Sequence, residues 1–339
     1  MKVLVTGAAG FICGYLVPEL LEAGHEVVGV DNFSKYGRLA KSYDQHPRYR
    51  LVEGDAKDAA LLTELAADCD QVVAAAAMIG GISYFHEFAY DLLAENERIL
   101  ASTFDAAIAA RRTGHLGRIV VVSSSMVYES TDVFPTPEGA QLTSPPPHST
   151  YGFQKLASEY FAKGAFEQFE LPYTIVRPFN CVGIGERRAV RDTDVMSGNI
   201  KLALSHVVPD LALKVIKGQD PLHILGDGSQ VRHYTYGGDL AHGIRLAMES
   251  PAALNDDFNL STAQSTTVLE LAQAIWRLVN GDRPFRTVSD PPFEHDVQLR
   301  IPGTAKASTI LGFEATTSLE TMLAEVVPWI RTEAAAGRI

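Results

Sequence analysis

The first half of the chain sets out short apolar runs at intervals, each followed by a stretch with helical periodicity. Lys2–Val5, Glu26–Val30, Tyr49–Glu53, Gln71–Ala77, Arg118–Ser123 and Tyr173–Val176 read as strands. The purest is Ile119-Val120-Val121-Val122, an unbroken run of the kind seen in strands buried on both faces. Between them, Leu16, Val17, Leu20 and Leu21 recur at helical spacing, and Asp58–Ala67, Tyr90–Ala110 and Tyr151–Phe169 read as further helices. Pro135, Pro137 and Pro145-Pro146-Pro147 mark a loop that can be neither helix nor central strand. Strands alternating with helices in this way predict an α/β fold built on a doubly wound parallel sheet.

Beyond Pro178 the signals shorten and mix. Gly183–Gly198 is polar and charged, Gly226-Asp227-Gly228 is a turn, and amphipathic helices are predicted over Val268–Val279 and Leu319–Ala335. This half reads as a smaller mixed α/β domain covering the C-terminal edge of the sheet. The expected division is 1–178 plus about 229–253 for the sheet domain, with 179–228 plus 254–339 forming the substrate-binding one.

Within the sheet domain, the joint between the first strand and first helix carries the clearest chemistry. Thr6-Gly7-Ala8-Ala9-Gly10-Phe11-Ile12 presents backbone N–H groups and a helix N-terminus, which together suit a phosphate. Gly7 permits the tight turn and Gly10 leaves room for a pyrophosphate. The third small position is Cys13, with Gly14 beside it, which bears on helix–strand packing more than on phosphate approach. The second strand ends in Asp31, about 20 residues on, where a ribose-binding carboxylate belongs. This is a Rossmann dinucleotide site. Asp31 favours NAD over NADP, with Lys35 and Arg38 near enough in sequence to oppose it. Asn32, Asp55 and Ala56 would lie at the adenosine end, and the small residues Ala75 and Ala76 would let the cofactor lie against the backbone. Packing of a helix on the sheet would also select alanines there.

Composition narrows the classes. The net charge of −12 argues against a nucleic-acid footprint, which needs a basic face. No run of about 18 apolar residues free of charge occurs, so no membrane span is expected. Three cysteines without a CxxC pair argue against a structural metal or a disulfide framework and suit a reducing cytoplasm. The chain enters its first strand at once, leaving no room for a signal peptide.

Two further motifs carry reactivity. Ser123-Ser124-Ser125-Met126-Val127-Tyr128 follows the fifth strand, at the edge where doubly wound sheets bind ligands. Tyr151-Gly152-Phe153-Gln154-Lys155 sets Tyr and Lys one helical turn apart on one face. An unperturbed phenol titrates near 10, too high for a base at neutral pH. A neighbouring ammonium and an oxidised nicotinamide would both favour the phenolate. Ser124 can then hydrogen-bond the hydroxyl that Tyr151 deprotonates.

With these motifs in this order, the chain resembles the extended short-chain dehydrogenase/reductases, specifically the NAD-dependent nucleotide-sugar epimerase/dehydratase group. Thr6–Ile12 is similar to its TGxxGFI signature, Gly54-Asp55 to its adenine-contacting GD, and Ser123–Tyr128 with Tyr151–Lys155 to its catalytic strand and helix. Arg177-Pro178-Phe179-Asn180 is similar to its RxFN segment, Leu225–Arg232 to its GDGxQxR stretch, and Arg300 to its late diphosphate-binding arginine. The resemblance implies that Ser124, Tyr151 and Lys155 are catalytic and that Pro178 joins Tyr151 and Lys155 against the cofactor. It implies a nucleotide-diphosphate-sugar substrate held by Gly80, Gly81, Ser125, Met126, Asn180, Arg232 and Arg300. It also implies a homodimer formed through two helices of the Rossmann domain.

The implied reaction starts when Tyr151 takes a proton from a sugar hydroxyl while hydride leaves the same carbon, giving a keto-sugar. Hexose 4,6-dehydratases then use Asp-Glu where Ser125-Met126 stand here. Uronic-acid decarboxylases have Glu at the Met126 place, and GDP-mannose 3,5-epimerases and GDP-fucose synthases have Cys there. Met126 has no exchangeable proton. That favours simple return of the hydride to the other face, a C4 epimerisation of a nucleotide hexose or hexuronate. Against it, Ala76-Ala77-Met78-Ile79-Gly80-Gly81 resembles the AAxxGG segment of the GDP-sugar branch. A 3,5-epimerase, a dehydratase, a keto-sugar reductase and a non-catalytic NAD-binding protein are the alternatives.

Other residues admit both functional and bland readings. His86 and His148 could act as acids but suit surface or loop positions. Tyr84 and Phe85 could contact substrate or simply pack, and Arg187, Arg188 and Arg191 could clamp a diphosphate or line a solvated loop. Cys181 reads as a small buried residue.

Overall fold

The structure, a computed structural model, describes residues 1–79, 88–187, 195–197, 200–202, 206–292 and 297–339. Strands β1 (Lys2–Thr6), β2 (Glu26–Asp31), β3 (Tyr49–Glu53), β4 (Gln71–Ala74), β5 (Arg118–Val122) and β6 (Tyr173–Pro178) are joined by a seventh, β7 (Asp256–Leu260). Their order across one parallel sheet is β7-β6-β5-β4-β1-β2-β3. The chain winds outward in both directions from the β1–β4 pair, and that reversal opens the crevice in which doubly wound sheets bind ligands. The fourth strand stops at Ala74, so Ala75–Ala77 leave the sheet at that crevice. The sheet also takes in Asp256–Leu260, past the boundary near 253 that the sequence suggested.

Helices cover both faces, as the unbroken apolar strands require. On one side, α1 (Cys13–Glu22) packs Leu16, Val17 and Leu20 in one cluster with Leu240 and Ile244. On the other, α2 (Ala59–Ala66), α3 (Ala89–Arg112) and α4 (Thr150–Phe169) bury Leu62, Leu100, Phe104 and Ala162. Helix α4 starts where Ser149 caps it: the Gly152 N–H donates to the Ser149 hydroxyl oxygen at 3.0 Å. The Ser149 hydroxyl donates in turn to Glu129 at 2.8 Å.

Among the described residues, the remaining α-helices are α5 (Val207–Ile216), α6 (Gly237–Glu249), α7 (Val268–Asn280), α8 (Ala305–Leu311) and α9 (Leu319–Ala335). Helix α6 is the partner of α1 in the first cluster. Helices α5, α7 and α9 enclose a third cluster around Leu211, Leu222, Ile275, Met322 and Val326, which is the core of the smaller region. A capping box between Thr267 and Glu270 fixes the start of α7.

A buried ionic network ties the two sides of the crevice. Arg177 on β6 is fully buried and donates from Nε and Nη2 to the two carboxylate oxygens of Glu159 on α4, both at 2.7 Å. Its Nη2 lies 2.6 Å from Asp257 on β7, and its Nη1 donates to the Tyr128 hydroxyl at 2.8 Å. Glu159 also accepts from the Ser123 hydroxyl at 2.7 Å and from Gln141 at 3.2 Å. Removing one partner from such a set strands a buried charge. Arg177→Met is therefore expected to cost about 3–5 kcal/mol of unfolding free energy in urea titration, and Arg177→Met/Glu159→Met to recover part of that loss. A loss below about 1 kcal/mol for the single variant would show that the network carries little stability.

Candidate active site

The glycine turn is shaped by a close approach of two backbones. Gly7 has φ of +72°, and a Cβ placed on it would lie 2.8 Å from the Ala76 Cα. Any other residue there would be both strained and crowded. The Thr6 hydroxyl oxygen clamps the crossing by accepting the N–H groups of Ala75 and Ala76, each at 3.1 Å. Among the described residues, the N–H groups of Phe11 and Ile12 find no protein acceptor. They stand at the start of α1, a donor set that fits a pyrophosphate.

Asp31 closes this end. Its carboxylate accepts the N–H groups of Ala9 at 3.0 Å and Phe33 at 2.7 Å. Burial raises its pKa, against the pull of those two N–H groups and the Lys41 charge. A carboxylate fixed by one donor on each oxygen keeps lone pairs for a ribose diol. The Lys41 charge, ten residues further along the chain, acts on Asp31. Arg38 is held by Glu53 at 3.1 Å. Asn32 donates to Asp55 at 3.2 Å, and Ala56 is buried beside them.

A single cleft of about 1090 Å³ runs from this turn to the smaller region. Its walls bring together Gly7, Gly10, Phe11, Ile12, Asp31, Asn32, Asp55, Ala56, Ala75 and Ala76 with Ser124, Tyr151, Lys155 and Pro178. Ser125, Met126, Asn180, Arg232 and Arg300 line it too. Gly80 and Gly81 lie outside the described residues, as do Tyr84, Phe85, His86, Arg188 and Arg191.

At mid-cleft, Tyr151 is buried, which raises its phenol pKa; a hydrogen bond with Ser124 and the charge of Arg300 oppose the rise. Lys155 is buried as well, and burial lowers its ammonium to about 8. Its Nζ donates to the Val122 carbonyl at 2.9 Å, so the cation that acts on the phenol here is Arg300. Help from Lys155, expected directly from the sequence, is turned toward the end of β5. The Ser124 oxygen also accepts the Met126 N–H at 3.2 Å and so caps the short helical turn over Ser125–Tyr128.

At the far end, Arg300 donates to the Asn180 side-chain oxygen at 3.3 Å and to the Met126 sulfur at 2.8 Å. Asn180 has φ of +36°, a conformation asparagine tolerates better than most residues. Its side-chain amide donates to the His233 carbonyl at 3.2 Å. Arg232 donates to the carbonyls of Val231 at 2.9 Å and Gln298 at 3.3 Å. His148 lines the cleft, Arg187 is paired with Glu333 at 2.8 Å, and Cys181 is buried with its thiol pushed up by that burial.

Sequence reasoning missed Asn96 on α3. Its side chain accepts the Met78 N–H at 2.6 Å and donates to the Met78 carbonyl at 2.9 Å, fixing the segment that leaves β4. The signal was present: Asn96 sits between Leu92 and Leu100 on the buried stripe of α3, and a buried amide needs partners.

Comparison with known proteins agrees with this geometry. The model of the NAD dependent epimerase/dehydratase family matches residues 3–261. A UDP-glucose 4-epimerase of Corynebacterium glutamicum is 30% identical, with 100% of this chain and 98% of the relative covered. UDP-glucuronic acid decarboxylase 1 of Danio rerio is 27% identical over 98% of this chain and 73% of the relative. Among solved structures, UDP-glucose 4-epimerase from Thermotoga maritima with UDP-glucose superimposes with a TM-score of 0.80 at 28% identity, covering 98% of this chain and 100% of that one. The dTDP-glucose 4,6-dehydratase DesIV from Streptomyces venezuelae shares the fold with a TM-score of 0.84 at 24% identity, over 99% and 98% of the two chains. A cleft whose cradle fits a dinucleotide, joined to a Ser-Tyr-Lys set and a full-length match, places the chain in the NAD-dependent epimerase/dehydratase family of nucleotide-sugar enzymes, with NAD as its cofactor.

Proposed function

We propose that the protein is an NAD-retaining nucleotide-sugar epimerase acting at C4 of a nucleotide hexose or hexuronate. The observation that carries this reading is Met126. Its thioether stands in the cleft against the Arg300 guanidinium at 2.8 Å. A thioether has no proton to give or take, so the position two residues beyond Ser124 holds no acid or base for expelling water or carbon dioxide.

NAD, when bound, supplies the acceptor and later the donor of hydride. The chain's own residues handle the proton and the geometry. Tyr151 takes the proton from the C4 hydroxyl, and Ser124 holds that hydroxyl by a hydrogen bond. Burial keeps the phenol protonated until a positive charge nearby shifts the balance. Lys155, its Nζ anchored to the Val122 carbonyl in the wall of the same cleft, is the residue assigned to meet the cofactor beside Tyr151. Arg232, Arg300 and Asn180 hold the diphosphate. The keto-sugar turns between these two anchors and regains its proton from Tyr151. The buried reduced thiols Cys13, Cys69 and Cys181 suit the cytoplasm; among the described residues no helix is long and apolar enough to cross a membrane.

The chain is also proposed to work as a homodimer. Phe153 and Tyr160 stand exposed two turns apart on α4 and flank an apolar depression with Leu156 and Ala157. A second copy covering that face through α4 would remove this surface from water.

Purified protein, supplied with nucleotide hexoses and hexuronates but no reductant, is expected to give the C4 epimer by NMR with no net NADH. A product lighter by water or carbon dioxide, or stoichiometric NADH, would overturn the reading. Tyr151→Phe is expected to lower kcat by roughly 10²–10⁴-fold. The Lys155 ammonium is present below about pH 8 and lost above it, so kcat should fall on the alkaline side with an apparent pKa near 8. A profile flat to pH 10 would remove Lys155 from this role. In sedimentation equilibrium, wild type should be a dimer and Phe153→Glu/Tyr160→Glu a monomer; a monomeric wild type would sink the dimer.

A further inference from the structure

Glu129 puts a carboxylate in the wall of the cleft on the Tyr151 side. It follows the short helical turn that carries Ser125 and Met126, and its N–H donates to the Met126 carbonyl at 3.1 Å. The residue is partly exposed and lines the same cleft as Met126, Ser149 and Tyr151. Its Oε2 accepts the Ser149 N–H at 2.9 Å and the Ser149 hydroxyl at 2.8 Å. A Cβ placed on Gly152, the residue after Tyr151, would lie 3.0 Å from that oxygen. The carboxylate is thus held against the first turn of α4, where a helix N-terminus favours negative charge. Oε1 is different: among the described residues it takes no hydrogen bond, and it is not closed to solvent. For holding Ser149 alone a glutamine would serve, since one amide oxygen can accept the same two bonds. The charge and the second, accessible oxygen are what a glutamate adds.

We infer that Glu129 selects the sugar, and that the substrate carries a neutral hexose and not a hexuronate. This rests on the reading above, in which the sugar ring lies at Tyr151, the cofactor at the Gly7 turn and the diphosphate at Asn180, Arg232 and Arg300. A hexose and its hexuronate differ only at C6, a hydroxymethyl in one and a carboxylate in the other. A hydroxymethyl can donate to a carboxylate oxygen, and the charge strengthens that bond. A second carboxylate can only accept, and it meets a fixed like charge in a cleft that screens less well than bulk water. The repulsion acts through charge and needs no direct contact. Offsetting it would take a cation at the sugar. Lys155 is turned to the Val122 carbonyl, and Arg232 and Arg300 are assigned to the diphosphate. A built-in repulsion of this kind lets a site reject a competitor that is otherwise nearly identical.

Calorimetric titration and turnover of the NAD-loaded protein with two matched pairs test this: UDP-glucose against UDP-glucuronate, and GDP-mannose against GDP-mannuronate. In the wild type, the hexose of a pair is expected to bind, and to react by kcat/KM, roughly tenfold to hundredfold better than its hexuronate. Glu129→Gln keeps an acceptor for Ser149 and removes the charge. Its preference should fall to within about threefold, through a gain in hexuronate affinity. A purely structural role would weaken both sugars alike. Ser149→Ala disturbs the same helix start but leaves the carboxylate, and should keep the preference. Wild type that binds hexuronate as well as hexose would overturn the inference. So would Glu129→Gln with the full preference, or Ser149→Ala without it. If the hexose binds tighter but no C4 epimer forms, the C4 reading fails and the selection by Glu129 stands. Binding of none of the four would overturn the nucleotide-sugar reading itself.

Discussion

Glu159 is the residue on which the geometry of the active site depends. It sits on α4 two turns beyond Tyr151 and one beyond Lys155, so whatever fixes its carboxylate fixes the face that carries both. Arg177 grips both of its oxygens from β6, and Ser123, next to Ser124, donates to one of them from the end of β5. Three elements that meet only in the folded chain are thus locked at one point. An apolar contact could hold them together but would tolerate sliding; a bidentate guanidinium–carboxylate pair fixes angle as well as distance. The cost is a set of charges wholly removed from water, balanced because Asp257, Tyr128 and Gln141 complete the hydrogen bonds.

The cofactor end is organised by a different constraint, close approach. Gly7 touches the Ala76 backbone, the Thr6 hydroxyl accepts the two N–H groups that β4 leaves unpaired as it ends, and Asn96 holds Met78 three residues on. These contacts bring the small residues Gly7, Ala75 and Ala76 to the ends of β1 and β4, where the crevice opens. Cys13, in place of the third glycine, is accommodated in the core with Leu16 and Tyr43, and burial pushes its thiol up to about 12. That is a packing role, remote from nucleophilic chemistry.

How much of this the sequence carried follows from the range of the interactions. The strands of the sheet were legible because each buried strand is a local apolar run, and the Tyr151–Lys155 spacing because one helical turn is local. The strand at Asp256–Leu260 was missed: two aspartates and an asparagine break its pattern, and they are there to meet Arg177, Lys306 and Tyr128. Lys155 was expected to act on the phenol directly, but the direction of its ammonium is set by the Val122 carbonyl, 33 residues away in the chain. Glu129 was invisible because an acid just past a motif usually marks a solvated surface. Only its place in the cleft wall distinguishes it.

Arg300 joins the two halves of the site electrostatically. Its charge favours the Tyr151 phenolate, and its guanidinium also touches Asn180 and Met126 at the place proposed for the diphosphate. A diphosphate bound there would cancel most of that charge, so Arg300 helps the phenol least when substrate is present. On the proposed mechanism, the burden of ionising Tyr151 would then pass to the positive charge of the oxidised cofactor. That charge is present only while the cofactor is oxidised. Proton removal by Tyr151 would thereby be tied to the redox state in which hydride can be accepted, and proton return to the state in which hydride can be given back. A Met at position 126 leaves this coupling undisturbed, since it adds no charge of its own.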